Sequence, residues 1–183
     1  VLKRPNNLSQ PDDIIVASYV GRPKTQDDYN RNLFLLADYY GCKIGFENDR
    51  GEVIAYAKRF RKMHKLEEEF EMLDKKELRS RTVKRQYGMH MTEGRKRQGE
   101  IYIRDWLNTV RRTDESGKQL LNLHKIYDPA LLTELIKFNH YGNFDRVMAL
   151  MIGMYHTREL YNAEVKDILE DRSTDKWFDQ NYY

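Results

Sequence analysis

Cysteine is almost missing from this chain: Cys42 is the only one in 183 residues. A disulfide framework and a cysteine-built zinc site are thereby excluded, and a lone thiol suits a reducing compartment. Long apolar runs are missing too. None approaches the roughly 18 residues of a membrane-spanning helix, and no signal peptide is visible. The phosphate loop Gly-x-x-x-x-Gly-Lys-Ser/Thr does not occur, which excludes an NTPase of that class. The histidines, His64, His90, His124, His140 and His156, show no metal-ligand spacing. No internal repeat is present.

What remains is a globular composition. Hydrophobic residues make up 40% and charged residues 33%, on a length that fits one domain with a sizeable core. The first residue is Val1, and Val1-Leu2-Lys3 reads as the end of a strand already under way. The chain is therefore expected to be a piece of a longer protein, cut at its N-terminus. The β-branched run Ile14–Val20 predicts a strand that forms an antiparallel hairpin with the first segment. Thr25 or Asp27 caps a helix to about Tyr40, with Tyr29, Leu33, Leu36, Ala37 and Tyr40 on its apolar stripe, and Gly41 stops it. Cys42–Phe46 is the next strand. A second helix passes through Ile54, Ala55, Ala57 and Phe60.

Tyr87–Thr92 reads as a loop-like break. A helix from Thr92 or Glu93 to Val110 follows, with Ile101, Trp106 and Leu107 inward. Thr113–Lys118 is a turn and Leu120–Leu123 a short strand. Asp128-Pro129 opens a helix as an N-cap acid with proline at N1. Asn143 caps the next helix, from Phe144 to about Asn162, whose stripe is Val147, Leu150, Met151, Met154 and Tyr155. The expected class is a mixed α/β sheet with helices on both faces, one domain over residues 1–162, followed by an acidic helix or tail over 163–183.

Charge is unevenly spread. Residues 58–97 carry fourteen Lys and Arg against seven Asp and Glu, an excess of seven where the whole chain has +3. Such a stretch is either a salt-bridged face or a surface for phosphates, which Lys and Arg neutralise without reading sequence. Lys58, Arg59, Arg61, Lys62, Lys84, Arg85, Arg95 and Arg97 are the candidates for DNA contact.

Two acids far apart in sequence carry the sharpest chemical reading. Glu47 ends the apolar run Cys42-Lys43-Ile44-Gly45-Phe46-Glu47. Asp145 stands in Gly142-Asn143-Phe144-Asp145-Arg146-Val147-Met148-Ala149-Leu150, at a helix start. A strand end and a helix start hold carboxylates firmly, and acids so placed can converge on divalent metal. Two-metal hydrolysis needs several carboxylates around ions roughly 3.5–4 Å apart, and Mg²⁺ takes oxygen ligands while keeping waters. The plainer alternatives stay open: an acid in a first turn also serves the helix dipole, and an acid ending a strand is often a turn residue. Asp13 and Asp49 are read as turn residues.

In order along the chain, four segments resemble the C-terminal nuclease domain of the large terminase subunit of tailed bacteriophages. They are Ile15–Pro23; Gly45-Phe46-Glu47-Asn48; Gly88-Met89-His90-Met91-Thr92 with Lys96; and Thr133–Phe138 with Gly142–Leu150. The resemblance implies an RNase H-like fold, N-terminally truncated here, and a Mg²⁺- or Mn²⁺-dependent endonuclease that cuts concatemeric double-stranded DNA during packaging. It implies that Glu47 and Asp145 are metal ligands and that Lys96 steadies phosphate charge. It also implies a portal protein, a small terminase subunit and an N-terminal ATPase domain as partners, and action in the cytoplasm of a bacterial host rather than as a stable part of the virion. The family's first acid, on the first sheet strand, has no counterpart here, and of its paired terminal acids only the second is matched, by Asp145. Another RNase H-like nuclease, of resolvase or transposase type, is the rival enzyme. A non-catalytic module that binds DNA or the portal is the rival without chemistry.

Overall fold

The computed structural model describes residues 1–5, 13–48, 51–69, 87–139 and 141–158. Within them the chain is mixed α/β. The first hairpin forms as expected: β1 (Leu2–Lys3) pairs antiparallel with β2 (Ile14–Ile15). Two further bonds extend it, from Val16 N–H to the Val1 carbonyl (2.9 Å) and from the terminal ammonium of Val1 to the Ala17 carbonyl (2.5 Å).

Helix α1 (Gln26–Tyr39) begins at Thr25, whose hydroxyl accepts from the Asp28 amide. Asp27 and Asp28 lie in its first turn, where the helix dipole favours negative charge. Gly41, at φ +61°, follows the helix end. The buried face matches the expected stripe only in part: Ala37 is buried and Leu33 packs against the core. Phe34 is almost fully buried with Ala37, whereas Tyr40 is exposed. Phe34 stacks on Tyr56 of α2 (Glu52–Arg59), and that pair with Ala37, Ala57, Ile44, Phe46 and Leu66 forms one apolar core.

The 43–48 segment pairs with two separate stretches along one edge. Ile44 lies parallel to Leu66, and Glu47 parallel to Met89. The bonds run from Ile44 N–H to Lys65 O, Glu67 N–H to Ile44 O, Met89 N–H to Phe46 O, and Asn48 N–H to Met89 O. Ile44, Phe46 and Asn48 alternate along a strand and so point to the same side. The segment advances three residues while its neighbour advances twenty-three, from 66 to 89. The neighbouring strand is thus interrupted, and the pieces are joined by Gly88 N–H donating to Glu67 O at 3.0 Å. Tyr87–Thr92 is therefore not the break expected from sequence. Its Gly88 and Met89 complete the edge along which Glu47 ends.

Gly88 is the residue that permits this join. Its φ is +76°, and an added Cβ would lie 2.9 Å from the Phe46 carbonyl oxygen and 2.8 Å from the Phe46 ring. Left-handed backbone costs an L-residue about 1–2 kcal/mol, and the backbone oxygen cannot turn aside. Gly88→Ala is expected to lower stability by about 2–3 kcal/mol. The check is the urea midpoint at unchanged m-value, and a shift worth under about 0.5 kcal/mol would remove Gly88 from this role.

Helix α3 (Glu93–Leu107) is capped by Thr92, whose hydroxyl accepts from the Arg95 amide. It ends three residues before the expected Val110, because Val110–Thr113 is strand β3, paired with β4 (Gln119–Leu121) across a register irregularity. In the turn, the Asp114 carboxylate accepts from the Ser116 hydroxyl (2.6 Å) and the Ser116 and Lys118 amides, which holds its pKa below the usual value. Ile103 and Trp106 of α3 face inward, but Ile101 is exposed.

Helix α4 (Pro129–Lys137) has Asp128 as cap, accepting from the Ala130 and Leu131 amides. The final helix, α5, covers residues 145–158, one residue later than Asn143 as cap would set it; the Phe144 carbonyl takes its first bond, from Met148. Its stripe is as read from the sequence. Val147, Leu150, Met151, Met154 and Tyr155 are all buried and form the second core with Met89, Met91, Ile103 and Trp106. Gly99 of α3 lies directly on Met151, so the two helices meet closely there. The expected tail over 163–183 lies outside the described residues.

Candidate functional site

Glu47 and Asp145 sit on elements that touch. His156 of α5 packs against the backbone of Gly45, where any Cβ would collide with the imidazole. Glu47 lies two residues beyond that contact and Asp145 eleven residues before it. The helical rise places Asp145 about 16 Å from His156 along α5. The strand rise places Glu47 about 7 Å from Gly45. Both acids are exposed. Glu47 is held by its backbone bridge to Met89, and the neighbouring Asn48 side chain donates to Tyr87 O at 2.8 Å.

Asp145 opens α5. Its negative charge helps hold the proton on Tyr29 of α1, behind the larger effects of burial and of Tyr19. The Tyr19 and Tyr29 rings lie 6.1 Å apart, and Asn32 donates to the Tyr19 hydroxyl at 3.0 Å. Arg146 N–H and guanidinium both donate to Glu134 of α4, at 3.0 and 2.5 Å. Arg146 also lies 4.0 Å from Asp128, which accepts from the Ser18 hydroxyl at 2.7 Å. The Ser18 bond comes first among the causes that hold the Asp128 carboxyl below its ordinary range.

The chemistry of the donor pair suits a hard cation, since both acids offer carboxylate oxygens. The number is short. Among the described residues no three His, Cys, Asp or Glu side chains gather closely enough to hold a metal ion. Lys96 stands in the first turn of α3, half-buried, with its ammonium 3.7 Å from Glu93.

The basic candidates separate. Lys58, Arg61 and Arg97 are exposed. Arg59 pairs with Asp27 and covers the Tyr56 and Phe60 rings, and Lys62 pairs with Asp38 at 2.6 Å. Arg95 is a correction: it is 8% exposed, donates to the His90 carbonyl and lies 3.7 Å from Glu69. An arginine buried in its own fold does not reach a phosphate, so its part is structural. Lys84 and Arg85 lie outside the described residues.

His156 has no metal-ligand spacing in the sequence, but the fold gives it an unusual setting. Burial, with a smaller effect from Lys43, pushes its pKa down to about 4. Its Nδ1 lies 3.9 Å from Glu67, whose carboxylate is also 3.4 Å from Lys43. The distance alone would suggest an ion pair with Glu67. The burial argues for a neutral imidazole at pH 7, and Glu67 is already matched by Lys43.

A histidine neutral in the fold binds its proton more readily when unfolded. Stability from this site is therefore full above about pH 6.5 and is lost as pH falls toward 4. The loss is on the order of 3 kcal/mol. His156→Gln is expected to flatten the stability–pH curve across that window. The lowered Asp128 and Asp114 act lower, as pH falls below their ordinary 3.8. An unchanged slope in urea titrations at pH 4.5, 5.5 and 6.5 would contradict the assignment.

No family model, curated protein or solved structure matches the chain. Function therefore rests on the residues and their geometry. Glu134 and Arg146 were not singled out in the sequence. They are twelve residues apart across a loop, beyond the spacing at which helix pairs announce themselves.

Proposed function

We propose that the chain is a divalent-metal-dependent endonuclease domain with an RNase H-like arrangement, acting on double-stranded DNA in the manner of a viral packaging terminase. The observation that supports this reading is the packing of α5 against the strand that ends in Glu47, through His156 and Gly45; Asp145 opens the same helix, about 16 Å along it from that contact. The parallel bridges on one edge of 43–48 and the antiparallel β1–β2 hairpin are compatible with the mixed α/β class.

Glu47 and Asp145 would hold Mg²⁺ or Mn²⁺. Such ions, when bound, supply an activated water and neutralise charge on the phosphate. A two-metal site needs several carboxylates at one point, and among the described residues no three His, Cys, Asp or Glu side chains gather that closely. The chain's own residues orient: the Met89 bridge holds the Glu47 backbone, and α5 aims Asp145 from its first turn. Exposed Lys58, Arg61 and Arg97 supply sequence-independent attraction to the duplex. Portal, small-subunit and ATPase partners, and a place in the host cytoplasm, follow from the resemblance. Among the described residues no helix is long and apolar enough to cross a membrane.

The shortage of clustered acids favours one rival, a DNA- or portal-binding module without catalysis. Nicking of supercoiled plasmid with Mn²⁺ against EDTA separates the two. Metal-dependent nicking supports the nuclease. Duplex binding that is equal in EDTA, with no nicking and no rise in melting temperature with Mn²⁺, supports the module.

A further inference from the structure

Among the described residues with positive φ, Gly41, Gly51, Gly88 and Gly117 are glycines, and the one other residue is Arg61, at φ +55°. Arg61 follows the end of α2, in a turn closed by two bonds. Its N–H donates to the Lys58 carbonyl (3.2 Å), and Lys62 N–H donates to the Ala57 carbonyl (2.7 Å). Glycine is the usual residue at that place, because left-handed backbone strains a residue with a side chain. Arg61 is exposed, as is Lys58, and among the described residues neither side chain has a hydrogen bond or ion pair that would offset the strain.

The surrounding stretch, Lys58-Arg59-Phe60-Arg61-Lys62-Met63-His64-Lys65, holds five Lys and Arg and no acid. Asp27 pairs with Arg59, and Asp38 with both Lys62 and Lys65. Five cations less those two acids leave an excess of three positive charges at this end of α2. In sequence, Phe60 stands between the two unpaired cations, and it is 49% exposed. Its ring centre lies 4.4 Å from that of Tyr56 and 4.8 Å from the Arg59 guanidinium. Stacked on opposite faces, Tyr56 and Arg59 would be separated by the sum of those spacings. The guanidinium is only 5.6 Å from the Tyr56 ring, so both neighbours lie to one side of Phe60 and leave the other side to solvent.

We propose that this turn binds single-stranded nucleic acid. An unpaired base stacks on the open side of Phe60, and the phosphates flanking that base meet Lys58 and Arg61. A duplex keeps its bases stacked on one another and would use the cations alone, so the exposed ring favours an unpaired strand. Stacking on an aromatic ring tolerates any base, and the cations follow the backbone without reading sequence. The contact goes beyond the nuclease reading, since it needs neither metal nor cleavage.

The test uses the full chain in EDTA and fluorescence anisotropy of two labelled probes, oligothymidylate of about 12 nucleotides and a mixed-sequence duplex of the same length. Phe60→Leu keeps an apolar contact on Tyr56 and removes the flat ring. It is expected to weaken oligothymidylate binding about tenfold, the effect of one stacked base, and duplex binding by less than about twofold. Arg61→Gly is expected to weaken oligothymidylate binding about fivefold at about 0.1 M salt. The slope of log K against log salt should shrink by about 0.7, one phosphate contact on a single strand. Its melting temperature is expected to rise by about 2–4 °C, because glycine takes the left-handed turn without strain. Fold support alone would move stability and binding together, whereas here they move in opposite directions.

If the unaltered chain does not bind oligothymidylate, or neither variant binds it more weakly, the proposal fails. Equal losses on both probes with Phe60→Leu also overturn it, because no unpaired base is then being stacked. If Phe60→Leu does not fold, Arg61→Gly decides: weaker binding with a lower melting temperature makes Arg61 a residue of the fold and sinks the contact. Weaker single-strand binding by a folded Phe60→Leu and by a stabilised Arg61→Gly supports the contact, whether or not Mn²⁺ yields nicking.

Discussion

Asp145→Ala is expected to reduce Mn²⁺-dependent plasmid nicking to background, a loss of about a thousandfold or more, while duplex binding in EDTA stays within about twofold. A carboxylate that holds a catalytic ion supports several kcal/mol of transition-state charge stabilisation, and each 1.4 kcal/mol is about tenfold in rate. Binding is expected to survive because it rests on other residues, among them the exposed Lys58, Arg61 and Arg97, and on backbone charge neutralisation. The fold is expected to survive because Asp145 is exposed and α5 is anchored by Val147, Leu150, Met151 and Met154. Removing a first-turn acid costs the helix only about 0.3–1 kcal/mol through its dipole. Glu47→Ala should behave alike, since the Met89 bridge that holds Glu47 is made by backbone. The measurement is a nicking time course with circular dichroism on each variant. Nicking by Asp145→Ala at the unaltered rate would take Asp145 out of the site.

Met151→Ala is expected to be the most damaging core substitution, at about 2–5 kcal/mol. Met151 is fully buried and fills the seam between α5 and α3, where Gly99 presents bare backbone to it. The same seam gives a sign reversal. A methyl at Gly99 would collide with the Met151 side chain and touch the Tyr155 ring at 3.4 Å. In the unaltered chain Gly99→Ala is therefore expected to cost about 1–3 kcal/mol through overpacking. In the Met151→Ala background that collision is gone. Gly99→Ala should then gain up to about 1 kcal/mol, because alanine is the better helix former. Double-mutant cycles of urea unfolding measure the coupling. Additive effects would show that the two helices do not meet at this pair.

The candidate site is harder to read in the sequence than the fold around it, and the residues show why. The Glu47 and Asp145 hypothesis comes from each acid's local setting, a strand end and a helix start. Whether the two settings meet depends on Gly45 and His156, which are more than a hundred residues apart. The basic stretch was equally ambiguous. Arg95 and Arg97 look alike in sequence, yet one is buried on the His90 carbonyl and the other exposed, because α3 turns only one of them toward the core.

Local signals were determined by sequence alone, because their physics is confined to a few residues. Thr25, Thr92 and Asp128-Pro129 mark helix starts since a side-chain oxygen there meets amides two or three residues on. The buried stripe of α5 follows from the 3.6-residue period. Only the tertiary structure decided what depends on distant partners. It set the interrupted strand that places Met89 opposite Glu47, the outward turn of Ile101, the neutral His156 and the hold of Glu134 on Arg146. Each is a balance of burial against charge or backbone pairing between residues that come together only when the chain has folded.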